Sequence, residues 1–256
     1  MTHPTTTTGG AAPAWQAILA MAGMELRLAL RRGETLVATA VLPVVVLVFF
    51  SSVSVVTVDA GRPVDFLLPG SIAFAIIATS LVSLGITTAY DRFYGVLKRL
   101  GGSPLSRAEL IAAKILAVLV VEAVQLAVLV GAASVLLGWS PPAGASVGLF
   151  VVAVLLGTLA FAGVGLLLAS TLRAETMLAV ANILFVASLV LGGVILPISH
   201  LPGPLAALAG ALPAAALSDA LRVALGGSGD AAGALALLGG WGVAAVGLAV
   251  ASFRWE

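Results

Sequence analysis

Residues 66–109 read FLLPGSIAFAIIATSLVSLGITTAYDRFYGVLKRLGGSPLSRAE, and this stretch contains the two features that decide the fold. Its first part, 66–90, carries no charged side chain and is long enough to cross a bilayer as a helix, which takes about 20 mostly apolar residues. The segment that follows, 91–109, holds four of the chain's twelve Lys and Arg residues. The pattern therefore predicts a membrane-spanning helix that ends at a charged surface segment.

The composition extends this prediction to the whole chain. Of its 256 residues 61% are hydrophobic and 9% are charged, whereas a soluble domain is about half apolar and about a quarter charged. Lipid is therefore the expected solvent for most of the chain. A net charge of +1 does not favour nucleic acid as a partner. The absence of Cys excludes disulfides and thiolate sites, and the two His residues lie far apart, so no metal site is predicted.

Apolar runs of spanning length recur along the chain, and we predict an all-α polytopic membrane protein with six transmembrane helices. The predicted spans cover 35–58, 66–90, 107–137, 145–172, 176–196 and 231–253. With this topology ten of the twelve Lys and Arg residues fall on one side of the membrane, and Arg62 and Arg222 fall on the other. The positive-inside rule then places both termini in the cytoplasm.

Three segments do not span. Residues 1–14 are predicted to be a disordered tail that precedes a single transmembrane domain, 15–256. Residues 15–32 place apolar side chains at helical spacing and predict an interfacial helix on the cytoplasmic leaflet. Residues 200–225, with repeated prolines, predict outer re-entrant half-helices between the fifth and sixth spans, and a loop lying on the outer surface is the alternative.

The charged segment has the pattern of a short amphipathic helix over 91–101 followed by a turn. One face of that helix is predicted to be apolar, with the spacing i, i+3, i+4, i+7, at Phe93, Val96, Leu97 and Leu100. The glycine pair at 101–102 is typical of a helix end. Ser106 and Glu109 have the spacing of a capping box, so the next helix is predicted to start near Arg107. We favour a docking element over the alternative, a loop that anchors in lipid.

A few polar residues lie within the predicted spans. Glu122 and Gln125 share a helix face, and a charge in lipid is costly, so Glu122 must be protonated, paired or turned to the interior. A substrate or proton contact is one interpretation. A buried hydrogen bond, or a carboxylate that reaches water near the interface, is favoured. The residues that could line a translocation path are Thr79, Ser83, Thr87, Glu122, Gln125 and Asn182.

Three motifs together resemble the membrane permease subunit of type-2 ATP-binding-cassette exporters, in the group that includes drug and antibiotic resistance. ELRLALRR at 25–32, with Pro43 in the first span, is similar to the family's elbow helix. DRFYGVLKRLGGSPLSR at 91–107 is similar to its coupling-helix motif, although Phe93 and Val96 depart from the common acidic residue and Thr. GGVILP at 192–197 and the prolines after it resemble the fifth span and the outer re-entrant helices.

The resemblance implies partners and roles. The chain has no G-x-x-x-x-G-K-[ST] phosphate loop, so it is expected not to be an enzyme itself, and a separate cytoplasmic ATPase subunit would bind ATP-Mg. A second permease copy and the lipid bilayer are the other expected partners. The implied ATPase-docking residues are Arg27, Arg31, Asp91, Arg92, Tyr94, Gly95, Lys98, Arg99, Ser103, Pro104 and Arg107. The implied outer gate region contains Gly193, Pro197, Pro202, Pro213 and Arg222.

The expected activity is export of an amphipathic drug, lipid or lipid-linked glycan across the cytoplasmic membrane of a bacterium. An ATP-independent transporter or channel is the alternative. An intramembrane enzyme is disfavoured, because Glu122 has no second catalytic group beside it at membrane depth.

Overall fold

The computed structural model describes residues 13–31, 33–53, 62–194 and 202–255, and these ranges are helical with short connections. The helices are α1 Ala14–Arg31, α2 Gly33–Val53, α3 Pro63–Ile77, a π-helical segment Ala78–Ser83, α4 Leu84–Phe93, α5 Val96–Leu100, α6 Arg107–Leu137, α7 Val147–Thr171, α8 Ala174–Leu191, α9 Gly203–Gly210, α10 Pro213–Ala224 and α11 Ala231–Ser252. The predicted all-α membrane class is confirmed.

The spanning helices number five or six among the described residues. Five are long and apolar enough to cross a bilayer, and the bent pair α9 and α10 would make a sixth if it counted as one span. The predicted first span corresponds to α2, whose described apolar part covers Ala40–Ser52. The predicted tail lies almost entirely outside the described residues.

The second span is one continuous helix from Pro63 to Phe93, longer than the predicted 66–90. It contains the π-helical segment at its centre, and such segments occur frequently at functional sites. Nothing in the apolar pattern of the sequence indicated this local widening of the helix.

Glycines set how closely the spans approach one another. A Cβ on Gly163 of α7 would lie 2.7 Å from the backbone nitrogen of Val246 in α11, so the two helices meet at backbone distance. A Cβ on Gly165 would lie 2.9 Å from the carbonyl oxygen of Leu81 in the π-helical segment. Helix α7 therefore packs directly against both the second and the last span, as small residues allow in membranes.

Helix α1 lies beside α6 and buries Met21 and Ala22 in a cluster with residues of that helix. Its outward face carries Trp15, Leu19 and Leu30, which are 60%, 53% and 61% exposed. An exposed apolar stripe of this kind is what the predicted interfacial helix requires, and its place at the lipid surface stays a prediction.

The helix predicted over 91–101 is wrong in its first part. Residues 91–93 complete the second span, and the chain then turns at Gly95, whose φ is +71°, before α5 begins at Val96. The turn divides the predicted apolar face: Leu97 is buried, whereas Phe93 is 63% exposed and Val96 is 39% exposed. The face was inferred for one continuous helix, and a left-handed residue breaks that geometry.

The end of the charged segment has the capping box that was predicted from the sequence. The Ser106 amide donates to Glu109 Oε2 at 2.7 Å, and the Glu109 amide donates to Ser106 Oγ at 3.2 Å, so the capping box is confirmed. Helix α5 ends at Leu100, with Gly101 directly after it.

The region predicted to be re-entrant contains two short helices, α9 and α10, which are bent by 77° at residues 211–212. The indole nitrogen of Trp241 in α11 donates to the carbonyl of Ala211 at 3.1 Å and holds the bend against the last span. The depth of this pair in the membrane stays a prediction.

Candidate functional site

The docking surface predicted from the sequence corresponds to one exposed end of the second span together with α5 and the turn after it, residues 93–107, and the name is kept for these residues. Its apolar part is formed by Phe93, Tyr94 and Val96, and Tyr94 is 68% exposed. Lys98 and Arg99 on α5 are exposed as well. The surface thus combines aromatic and apolar groups with a basic rim, a composition that is common at protein interfaces.

Most of the predicted docking residues are solvent-facing. Gly95 is partly buried, and the exposed ones are Arg27, Arg31, Tyr94, Lys98, Arg99, Ser103, Pro104 and Arg107. Phe93 and Val96 belong to the same surface, whereas the sequence analysis assigned them with Leu97 to one apolar face of a continuous helix. The glycine at position 95 was the available signal, because a glycine can end a helix between Phe93 and Leu97 and so place them on different faces.

Two predicted docking residues have partners inside the chain instead. Asp91 Oδ2 accepts from Lys114 Nζ at 3.0 Å. Arg92 donates to the carbonyl of Leu172, the residue that follows α7. Their side chains are therefore engaged in holding helices together, and the docking role of both residues stays a prediction.

Lys114 is the centre of an ion-pair node that consists of Glu25, Asp91 and Lys114. Its Nζ atom lies 2.6 Å from Glu25 Oε1 of α1 and 3.0 Å from Asp91 Oδ2 of α4, and its side chain is 1% exposed. The node fixes the elbow helix and the end of the second span to α6, directly behind the docking surface.

The docking surface is also supported by the residues that follow the last span. Leu97, Leu100 and Phe253 share one apolar cluster, and the Trp255 ring packs on Gly101, where a Cβ would lie 3.0 Å from the ring. The short helix α5 is thus held between α6 and the segment that follows α11.

Replacing Gly95 with valine should destabilise the turn before α5, because valine disfavours the backbone conformation of Gly95 and not because its side chain clashes. A Cβ at this position would meet nothing within 4 Å, but a left-handed conformation costs an L residue roughly 1–2 kcal/mol. We expect faster amide hydrogen exchange over residues 94–100 in Gly95→Val. Gly95→Asn is the matched control, because Asn tolerates positive φ, and equal exchange in both variants would contradict the assigned conformation.

The Glu122 cluster lies at mid-length in the third span and consists of Thr79, Ser80, Glu122, Gln125 and Thr158. Ser80 Oγ lies 2.6 Å from Glu122 Oε1, and Thr158 Oγ1 lies 2.5 Å from Glu122 Oε2. Thr79 Oγ1 donates to Gln125 Oε1 at 2.9 Å. All five side chains are buried. The favoured interpretation of Glu122, a buried hydrogen bond, therefore describes its observed environment.

The π-helical segment explains why two consecutive residues, Thr79 and Ser80, both reach α6. Glu122 and Gln125 occupy one face of α6 three residues apart, and each finds a hydroxyl partner on the widened helix. Thr158 was missed by the sequence analysis. It is the single polar residue between Val147 and Leu168, and that isolation was the available signal.

The remaining path residues divide into two groups. Ser83 and Thr87 line a cleft of about 80 Å³ beside α6, together with Thr79, Glu25 and Lys114. Asn182 is elsewhere: it is exposed on α8 and donates to the carbonyl of Leu178 in its own helix at 2.7 Å. The structure thus brings together five of the six predicted residues and separates Asn182 from them.

In the predicted outer gate region, Arg222 contacts three parts of the chain. It donates to Asp219 Oδ1 at 3.0 Å and to the carbonyl of Gly193, and its guanidinium lies 4.5 Å from the ring centroid of Phe66. Pro213 starts α10, and Pro202 precedes α9. Pro197, the other predicted gate residue, lies outside the described residues.

Arg62, Arg92 and Arg222 act alike, because each donates to carbonyls at the C-terminal end of another helix. Arg62 donates to Leu137 at 2.6 Å and to Gly138 at 3.2 Å, at the end of α6. Such carbonyls have no partner within their own helix, and a cation is favourable there. Arginine caps of this kind are structural, and they account for both basic residues on the predicted outer side.

Within the described ranges no group of three or more His, Asp or Glu side chains could hold a metal ion.

Comparison with known proteins gives a family match over most of the chain. The model of the family described as ABC-2 type transporter matches residues 16–225. A comparison with curated proteins finds no match. The match covers the elbow helix, the docking surface, the Glu122 cluster and the bent helix pair.

Proposed function

Because the chain belongs to the ABC-2 type transporter family, we propose that it is the membrane permease subunit of an ATP-driven exporter and works with a separate cytoplasmic ATPase. The docking surface carries this proposal. It is an exposed aromatic and basic surface on the connection between the second and third spans, and the capping box of α6 ends that connection. Because the chain has no phosphate loop of its own, a separate ATPase would bind this surface and move it when ATP is bound and hydrolysed.

The structure suggests how movement at the docking surface would spread. Phe93 ends the second span, and Ser106 caps the third, so a push on α5 acts on two spans at once. The ion-pair node ties the elbow helix to the same two spans. We infer that closure of the ATPase tilts these helices together and opens the permease to the outer side.

We further propose an amphipathic cargo, such as a drug, a lipid or a lipid-linked glycan, and assembly of two permease copies with two ATPases in a bacterial cytoplasmic membrane. Few charged side chains lie within the spans, which suits a cargo with a large apolar part. Both termini and the docking surface would face the cytoplasm, as the distribution of Lys and Arg predicts.

The test is co-expression with an ATPase subunit encoded beside this chain, followed by co-purification and transport assays. We expect Arg99→Glu to weaken the complex by about tenfold or more, which corresponds to about 1.4 kcal/mol, because reversing a rim charge opposes a complementary partner. Transport should fall with complex formation, while the variant stays in the membrane.

Arg173→Glu is the matched control. Arg173 is also exposed and lies at the start of α8, outside residues 93–107 but beside Leu172, whose carbonyl accepts from Arg92. Equal binding of the ATPase by Arg99→Glu and the unmodified chain would overturn the docking assignment. Full transport after deletion of the ATPase would instead favour an ATP-independent transporter.

A further inference from the structure

The two close contacts of the Thr158 hydroxyl bear on where one proton of the Glu122 cluster lies. A threonine hydroxyl has a single hydrogen to donate. Thr158 Oγ1 lies 2.8 Å from the carbonyl of Val154 in its own helix and 2.5 Å from Glu122 Oε2. If the hydroxyl donates to Val154, as threonines in membrane helices commonly do, the hydrogen in the second contact comes from Glu122.

If Glu122 is protonated, each of the three hydrogen bonds in this arrangement has its own hydrogen. Ser80 donates to Oε1, the carboxyl group donates from Oε2 to Thr158, and Thr158 donates to Val154. An ionised Glu122 would leave Thr158 to share its single hydrogen between two acceptors. The geometry therefore favours the neutral acid.

The charges around the cluster also favour a neutral Glu122. The π-helical segment presents Ser80 to Glu122, and α7 presents Thr158, so the side chains hydrogen-bonded to the carboxyl group in these contacts are uncharged hydroxyls. The ion-pair node lies toward the cytoplasm. Lys114 precedes Glu122 by eight residues on the same helix, which places it roughly 12 Å away, and both Glu25 and Asp91 already pair with it. An unpaired carboxylate at membrane depth would cost several kcal/mol.

A route for the proton lies beside the cluster. The cleft of about 80 Å³ reaches from Glu25 and Lys114 at the cytoplasmic end to Thr79, which neighbours Ser80, and Ser83 and Thr87 line it between them. A volume of about 10–15 Å³ is enough for a water molecule when two to four polar partners surround it. The hydroxyls of this cleft can supply such partners.

We propose that Glu122 is a proton-binding site within the membrane domain, which the cytoplasm reaches through the cleft beside α6. A proton enters the cleft as hydronium and passes to the Glu122 carboxylate beside Thr79 and Val121, which line the cleft next to Ser80 and Glu122. An O–H bond forms at Oε2, and a water molecule remains in the cleft. The bound proton completes the links between the second, third and fourth spans. This property needs no ATPase, so it can be tested separately from the proposed function.

The test is infrared spectroscopy of the purified chain in lipid nanodiscs at neutral pH. We expect a carbonyl band of a protonated carboxyl group that is lost in Glu122→Gln and shifts in D₂O. Glutamine should preserve the fold, because its amide accepts from Ser80 and donates to Thr158. Glu175→Gln is the matched control: Glu175 is exposed in the first turn of α8, and the band should persist.

Two further variants test the details. Thr158→Val removes the acceptor and should shift the band without abolishing it, which also gives a readout if Glu122→Gln fails to fold. Ser83→Leu fills the cleft and should slow the D₂O shift while the band remains. A missing band in the unmodified chain, or one that persists in Glu122→Gln, would overturn the proton site. A shift that is equally fast in Ser83→Leu would overturn the cytoplasmic route.

Discussion

Lys114→Met is expected to destabilise the protein by about 3–5 kcal/mol, the typical cost of removing one partner of a buried ion pair. The substitution keeps the apolar stem of the side chain but leaves Glu25 and Asp91 facing each other without a cation. Both carboxylates are largely buried, with 15% and 18% of their side-chain surface exposed. The measurement is the thermal unfolding midpoint of the purified protein in detergent or nanodiscs.

Lys98→Met provides the control, since it makes the same change on the exposed side of α5 and should leave the midpoint nearly unchanged. Neutralising the carboxylates as well, with Glu25→Gln and Asp91→Asn in the Lys114→Met background, should recover much of the loss, because an uncharged site no longer needs the cation. Equal midpoints for Lys114→Met and Lys98→Met would show that the node does not hold the elbow helix.

Gly163→Ala is expected to cost about 1–3 kcal/mol, the usual penalty for overpacking a tight interior contact. The added methyl group would lie 2.7 Å from the Val246 nitrogen and 2.8 Å from the Ala245 Cβ. A backbone nitrogen cannot turn aside as a flexible side chain can, so α7 and α11 must separate along their contact. Thermal unfolding again measures the effect.

Gly247→Ala adds the same methyl group to α11, where nothing lies within 4 Å. It should be neutral or stabilising by up to about 1 kcal/mol, because alanine favours the helix more than glycine does. A loss of stability in Gly247→Ala as large as that in Gly163→Ala would contradict the close contact between α7 and α11.

Local signals in the sequence predicted local structure well. Ser106 and Glu109 are three residues apart, and the capping box they form depends on little beyond that spacing. The long apolar runs likewise predicted an all-α membrane fold, because a bilayer leaves a helix few alternatives. The apolar face at Phe93 and Val96 was wrong because one residue, Gly95, changes the direction of the chain.

Contacts between distant residues could not be read from the sequence. Asp91 lies 23 positions before Lys114, and Arg92 lies 80 positions before Leu172, so nothing local in the sequence indicated that both residues have partners within the chain. The Glu122 cluster was predicted in part, because Glu122 and Gln125 share a face. Ser80 and Thr158 complete it only when three helices pack together, and the π-helical segment has no signature in the apolar pattern.

The Trp255 ring on Gly101 has a consequence for loop exchange between related permeases. Residues 93–107 look like a self-contained module that could be transplanted to change partner specificity. These residues, however, pack partly against Phe253 and Trp255, which follow the last span. A graft of residues 93–107 alone would pack against the recipient's own residues after the last span. A functional chimera therefore has to take residues 93–107 and the segment after the last span from the same parent.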